Sequence, residues 1–223
     1  MSSSQQESSW LPEIKPRLRG VSHQWAFIAA LVSGLALVVT APSRRAVAAA
    51  AIYAVALAGM FGASALYHRI DWRPRVSLWM RRLDHSMIFV MIAGTYTPIA
   101  LLLLDGAFSR TVLGILWGGV VLGLILKLVW IGAPSWLAAF IYLALGWIGV
   151  ATLPQLVRVG GVAAATLLLA GGVLYTAGAV VYARGRPNPK PAVFGFHEVF
   201  HVLVIAAAVV HFVAVAFFVI PRG

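Results

Sequence analysis

The chain has 223 residues, 61% of them hydrophobic and only 10% charged, with a mean hydropathy of +0.93; a soluble domain holds roughly 45–50% apolar and 25% charged residues, so a water-soluble fold is excluded. The net charge of +11 resembles that of a nucleic-acid binder. Most of the basic residues, however, fall between long apolar runs, where they set topology and meet anionic lipid, so nucleic acid is discounted as a partner.

Residues 1–20 are polar, first Ser/Gln-rich and then Pro- and Arg-containing, and read as a disordered or surface-lying tail with Trp10 near the membrane interface. The run from Ser22 to Ala41 is long enough to cross a bilayer core, which needs about 20 apolar residues. A secretory signal would have a shorter apolar region, about 7–15 residues, and no such polar leader. Six further runs follow: Ala46 to His68, Arg82 to Leu104, Thr111 to Trp130, Pro134 to Leu153, Gly160 to Ala183 and Gly195 to Ile220. They lack the alternation of a barrel wall. The expectation is therefore an all-α integral membrane protein, a seven-transmembrane helix bundle at 21–223 preceded by the tail at 1–20. Breaks are expected at Pro42 with Arg44 and Arg45, at Asp71 to Pro74, at Asp105-Gly106, at Gly132 to Pro134, at Pro154 to Arg158 and at Arg184 to Pro191. Gly94-Thr95-Tyr96-Thr97-Pro98 predicts a kink in the third helix, its glycine and threonines serving packing or lining a cavity.

With the N-terminus inside, twelve of the 17 Lys and Arg residues fall on the inner side and five on the outer. This bias predicts a cytoplasmic N-terminus and an external C-terminus, in the inner (plasma) membrane. Lys127 is expected to snorkel from the end of the fourth helix.

Cysteine is absent, which leaves His, Asp and Glu as the means of holding a transition metal. Ionisable groups inside spans are costly and mark candidate sites. His197 and His201 stand four apart on the last helix, on one face, at a spacing that lets two imidazoles share one ion. His68 ends the second helix at the same predicted level, four residues after Ser64. Asp84 enters the third helix there, within about a turn of its start. Asp84 has a second reading, pairing with Arg81, Arg82 or a lysine at a helix N-terminus, and Ser64 has one as a small packing residue beside Gly59, Gly62, Ala63 and Ala65. His85 points about 100° away from Asp84, and His211 lies about 15 Å deeper than His201, too far to share its metal. His23 is placed at the interface. Glu198 is turned about 100° from His197, so the segment is not a protease-type HExxH; Glu198 is left as a partner of a ligand or of an arginine.

Taken together, Ser64-x-x-x-His68, Leu83-Asp84 and His197-x-x-x-His201 on seven helices resemble the progestin and adipoQ receptor family in its bacterial hemolysin III branch. The resemblance covers nearly all of the chain after the tail. It implies that His68, His197 and His201 bind a zinc ion near the cytoplasmic face, with Asp84 and Ser64 around a zinc-bound water as the catalytic pair. The wider superfamily includes alkaline ceramidases, which implies amide hydrolysis on a membrane lipid whose acyl chain enters the bundle. A three-nitrogen set with an open position is of the catalytic type. Two other readings stand beside it: a non-catalytic zinc-stabilised sensor or receptor in membrane lipid homeostasis, and a pore-forming hemolysin, disfavoured because the spans carry no continuous polar row.

Overall fold

The computed structural model describes residues 16–223. The expectations for Trp10 and the rest of the tail up to residue 15 lie outside the described residues. Within them, helices α1 (Val21–Val39), α2 (Arg44–Arg69), α3 (Pro74–Leu103) and α4 (Gly106–Val129) follow in order, each packed on the one before it. Next come α5 (Ser135–Trp147), a 3-10 segment (Ile148–Thr152) and α6 (Leu153–Gly160), which together make one span. α7 (Val162–Arg184) and α8 (Phe196–Ala214) complete the bundle, and α8 continues through a π turn and a final 3-10 turn to Arg222. Seven helical segments are thus long and apolar enough to cross a membrane.

α3 is the central helix, with 67% of its apolar window buried against 22% for α1 and for the fifth span. It touches α2 on one side, α4 on the other, and α5, α6 and the end of α8 across the bundle. α2 supplies a face of small side chains, Ala46, Ala49, Ala50 and Ala56 around Tyr53, all fully buried. Without a hydrophobic drive between helices in lipid, such close approach yields the dispersion contacts that hold them. Large apolar side chains such as Val32, Val55, Leu122 and Phe217 are exposed on the outside, as a lipid-facing surface requires.

Four details differ from the sequence-based expectation. α3 begins at Pro74 rather than Arg82, because the proline sits at the first helical turn, where its missing N–H costs nothing. Asp84 is therefore ten residues after Pro74, about 15 Å into the helix rather than within a turn of its start. Pro154 does not break the chain: it opens α6, again in the first turn, and the break falls at Gly161, whose φ of 90° only glycine adopts readily. Lys127 does not snorkel. It is 1% exposed, and its Nζ lies 5.7 Å from the centre of the Tyr142 ring, a cation–π contact with α5.

The Gly94–Pro98 stretch stays helical within α3. Pro98 removes one backbone donor. Thr95 and Thr97 donate back to the Met91 and Ala93 carbonyls at 2.8 and 2.7 Å. The Tyr96 hydroxyl donates to the Gly146 carbonyl at 2.9 Å, tying α3 to α5. Gly94 packs against Ala56, where a side chain would collide, and Thr95 and Tyr96 also line a cavity, so both expected roles are present.

Candidate metal centre

α8 starts from a well-capped end. The Phe196 N–H donates to Asn188 Oδ1 at 2.8 Å, and the Gly195 N–H donates to Glu198 Oε2 at 2.7 Å, so a carboxylate in the first turn satisfies a free donor and meets the positive end of the helix dipole. The other Glu198 oxygen accepts from the Arg19 guanidinium. Arg19 belongs to a turn at 16–20 whose backbone is held by Arg17 and Leu18 donating to the Ala192 and Val193 carbonyls at 3.1 and 3.2 Å. Of the two partners expected for Glu198, the arginine is the one found.

This capped end presents His197 and His201 toward the end of α2. His197 Nε2 and His68 Nε2 are 3.1 Å apart. Ring centroids are separated by 4.5 Å for His197 and His201 and by 5.2 Å for His68 and His201. One nitrogen from each of the three lies within 4.8 Å of the others. Nitrogens that share a tetrahedral ion at ~2.0–2.1 Å stand roughly 3.3 Å apart. His68 and His197 already have that spacing, and His201 Nδ1 is buried without a hydrogen-bond partner among the described residues, so the donor set fits a metal ion. Close approach of the first turn helps to place it: Gly20 has φ 78°, and a Cβ there would lie 2.6 Å from the Cβ of His68.

Asp84 and Ser64 join the same group. Asp84 Oδ2 is 3.9 Å from His68 Nε2, and Ser64 and Asp84 line the same end of one cavity. Ser64 is 3% exposed. Pairing of Asp84 with Arg81 or Arg82 is not what is seen; Arg82 stacks on Trp79 at 4.6 Å instead. His85 is not one of the three converging histidines; it lines the same cavity, and its carbonyl accepts from the Tyr142 hydroxyl at 3.1 Å. His211 is remote, as its spacing requires.

Sequence reasoning missed one residue. His23 was placed at the interface, but it is buried, 3% exposed, and stacks on His201 with centroids 3.8 Å apart and planes 15° from parallel. Phe61 meets it edge-on at 5.1 Å. A single histidine at a helix start has no spacing partner in the sequence, so nothing there pointed to this stack.

The site opens into an elongated cavity that runs between α3, α5, α7 and α8 from Asp84, His197 and His201 to Leu153, Leu168 and His211. Its wall between those ends is mostly apolar, including Met91, Ile92, Ala139 and Leu143. Trp147, Val150 and Leu169 both line it and are exposed on the outer surface, which places an opening between α5 and α7 on the lipid-facing side.

Seven membrane-crossing helices with three histidines converging at one end of an apolar cavity define a multi-pass membrane protein with a candidate tri-histidine metal site. The chain belongs to the haemolysin III family: the family model described as Haemolysin-III related matches residues 13–212. It is 31% identical over 178 residues to Hemolysin-3 of Bacillus cereus, covering 80% of this chain and 78% of that protein. It is 30% identical over 167 residues to the Hemolysin-3 homolog of Bacillus subtilis (strain 168), covering 75% of each.

Proposed function

We propose that the protein is a zinc-dependent hydrolase that cleaves an acyl amide bond of a membrane lipid, with its metal centre and N-terminus on the cytoplasmic side. The observation that carries this reading is the convergence of three imidazole nitrogens within 4.8 Å with a carboxylate 3.9 Å from one of them, at the mouth of an apolar cavity. Three histidines suit zinc in a site with an open fourth position. Zinc held there supplies Lewis acidity, polarising a carbonyl and making water a stronger acid.

The chain's own residues do the rest. Asp84 takes the proton from the attacking water and returns it to the leaving amine, which is general acid–base work within reach of a positioned carboxylate. Ser64, at the same end of the cavity, holds that carboxylate in orientation through its hydroxyl. His23 fixes the plane of the His201 ring by stacking. The apolar walls of Met91, Ile92 and Leu143 accept the acyl chain and keep bulk water from the reacting end. The amide is drawn through the opening between α5 and α7.

A non-catalytic reading has one observation in its favour. α2 packs most closely on α1 and α3, and α8 on α7, so a metal held by His68, His197 and His201 would add a direct tie between α2 and α8 to the side-chain packing they share at Tyr53 and Phe212. A zinc-stabilised sensor needs no more than that. The pore reading raised by the relatives' name has less support, since the cavity wall is apolar between its two ends. Lipid mass spectrometry on wild type and Asp84→Asn, with zinc measured in both, separates the first two: the hydrolase reading expects amide-lipid turnover in wild type and its loss in a variant that still holds zinc. Zinc without turnover in wild type leaves the sensor.

A further inference from the structure

The cavity that starts at the metal centre ends at a second group of polar side chains. His211 stands ten residues beyond His201 on α8, about 15 Å away at 1.5 Å per residue. Its Nε2 is 3.0 Å from the Leu168 carbonyl. A carbonyl only accepts, so Nε2 carries the hydrogen, and the neutral ring is left with Nδ1 as a bare lone-pair acceptor. That Nδ1 is buried with no partner among the described residues.

Two hydroxyls share its situation. Tyr175 of α7 has its ring 5.5 Å from that of His211, and Tyr53 of α2 stacks on Phe212, the neighbour of His211 on α8, at 6.2 Å. Both hydroxyls are buried with no hydrogen-bond partner among the described residues. The recess is built for the imidazole: a Cβ on Gly171 would collide with the His211 ring, so a glycine there is what lets the ring reach Leu168. His211 and Tyr175 line the cavity, whose lining has one charged side chain, Asp84, at the opposite end.

The deep end therefore offers an acceptor on His211 and a donor on Tyr175, with the Tyr53 hydroxyl behind them, without formal charge, in a part of the bundle where unmatched polar atoms are unfavourable. A hydroxyl group, which both donates and accepts, is the complement of that set. An anion would find no cation there, and a hydrocarbon would leave all three atoms unmatched. We propose that His211 and Tyr175, with Tyr53 behind them, form a second binding site for a neutral hydroxyl carried part-way along the apolar chain of a lipid in the cavity. This site stands apart from the metal reading, because none of its residues belongs to the metal centre.

The test is equilibrium binding to the purified full chain in lipid nanodiscs, with stearate compared against stearate bearing a mid-chain hydroxyl. Wild type is expected to bind the hydroxylated probe roughly fivefold more tightly, the effect of one net hydrogen bond. Tyr175→Phe, which keeps the ring and removes only the hydroxyl, is expected to bring the ratio close to one while leaving stearate affinity unchanged; His211→Leu is expected to do the same. Equal affinities in wild type, the result if only water fills the recess, overturn the proposal. So does a preference that persists in Tyr175→Phe, which decides alone if His211→Leu fails to fold. Repeating the comparison in His201→Ala keeps the two readings distinct: the preference is expected to persist there whether or not zinc is bound in wild type.

Discussion

Replacing Glu198 with alanine removes two bonds at once from the start of α8. The Gly195 N–H loses its acceptor at 2.7 Å, a capping interaction of about 0.5–2 kcal/mol. The Arg19 guanidinium loses its carboxylate, and a hydrogen bond to a charged group contributes about 1.5–3 kcal/mol. Arg19 keeps 22% of its side chain exposed while Glu198 keeps 2%, so the arginine rehydrates in part and the lower half of that range applies. The combined loss is about 2–4 kcal/mol, an apparent Tm lower by roughly 5–10 °C. Glu198→Gln keeps a neutral acceptor for Gly195 and loses only the charge, so its effect is expected to be about half as large. Because Glu198 follows His197 directly and precedes His201 by one turn, the alanine variant is also expected to release zinc faster to a chelator. Thermal unfolding in detergent together with a timed chelator titration measures both. A Glu198→Ala protein that melts with wild type and retains zinc as long would refute the reasoning that this carboxylate anchors the metal-bearing end of α8.

Three further outcomes are expected. Asp84→Asn should lower amide-lipid turnover by about 10²–10⁴, the range of a lost general acid–base group, with zinc content unchanged; turnover within a few-fold of wild type removes Asp84 from the chemistry. Lys127→Met replaces a buried cation over Tyr142 by an apolar chain of similar length, so the melting temperature should hold or rise, and a large fall would mean that the lysine has an essential partner. The cysteine-free chain lends itself to topology labelling: Arg73→Cys should be protected from a membrane-impermeant maleimide added to whole cells and Ala107→Cys labelled, and the reverse pattern inverts the proposed orientation.

The seven spans were legible because a run of about 20 apolar residues has few alternatives in a chain this poor in charge. Their ends were less so. Arg75 and Arg81 fall before the expected start of the third span at Arg82, yet they ride on the first turns of α3, and the one local sign is Pro74 at a position where proline starts helices. Pro154 carries the same sign, but in the sequence it reads as a breaker because the 3-10 turn before it has no distinctive composition. Lys127 went astray for a different reason: its place near a helix end satisfies snorkelling, and only the packing of α5 puts an aromatic ring beside it. At the candidate metal centre, His197 and His201 are legible through helical spacing and His68 through the charge count around the loops. The stack of His23 on His201 and the pairing of Arg19 with Glu198 join residues nearly 180 positions apart. No periodicity connects such distant positions.

The central claim is that His68, His197 and His201 hold zinc, and metal analysis of protein purified without chelator tests it most directly. Wild type is expected to carry stoichiometric zinc, and His201→Ala, which removes one of three nitrogens, is expected to lose it. Folded wild-type protein free of zinc, or a His201→Ala variant that keeps a full complement, would contradict the account.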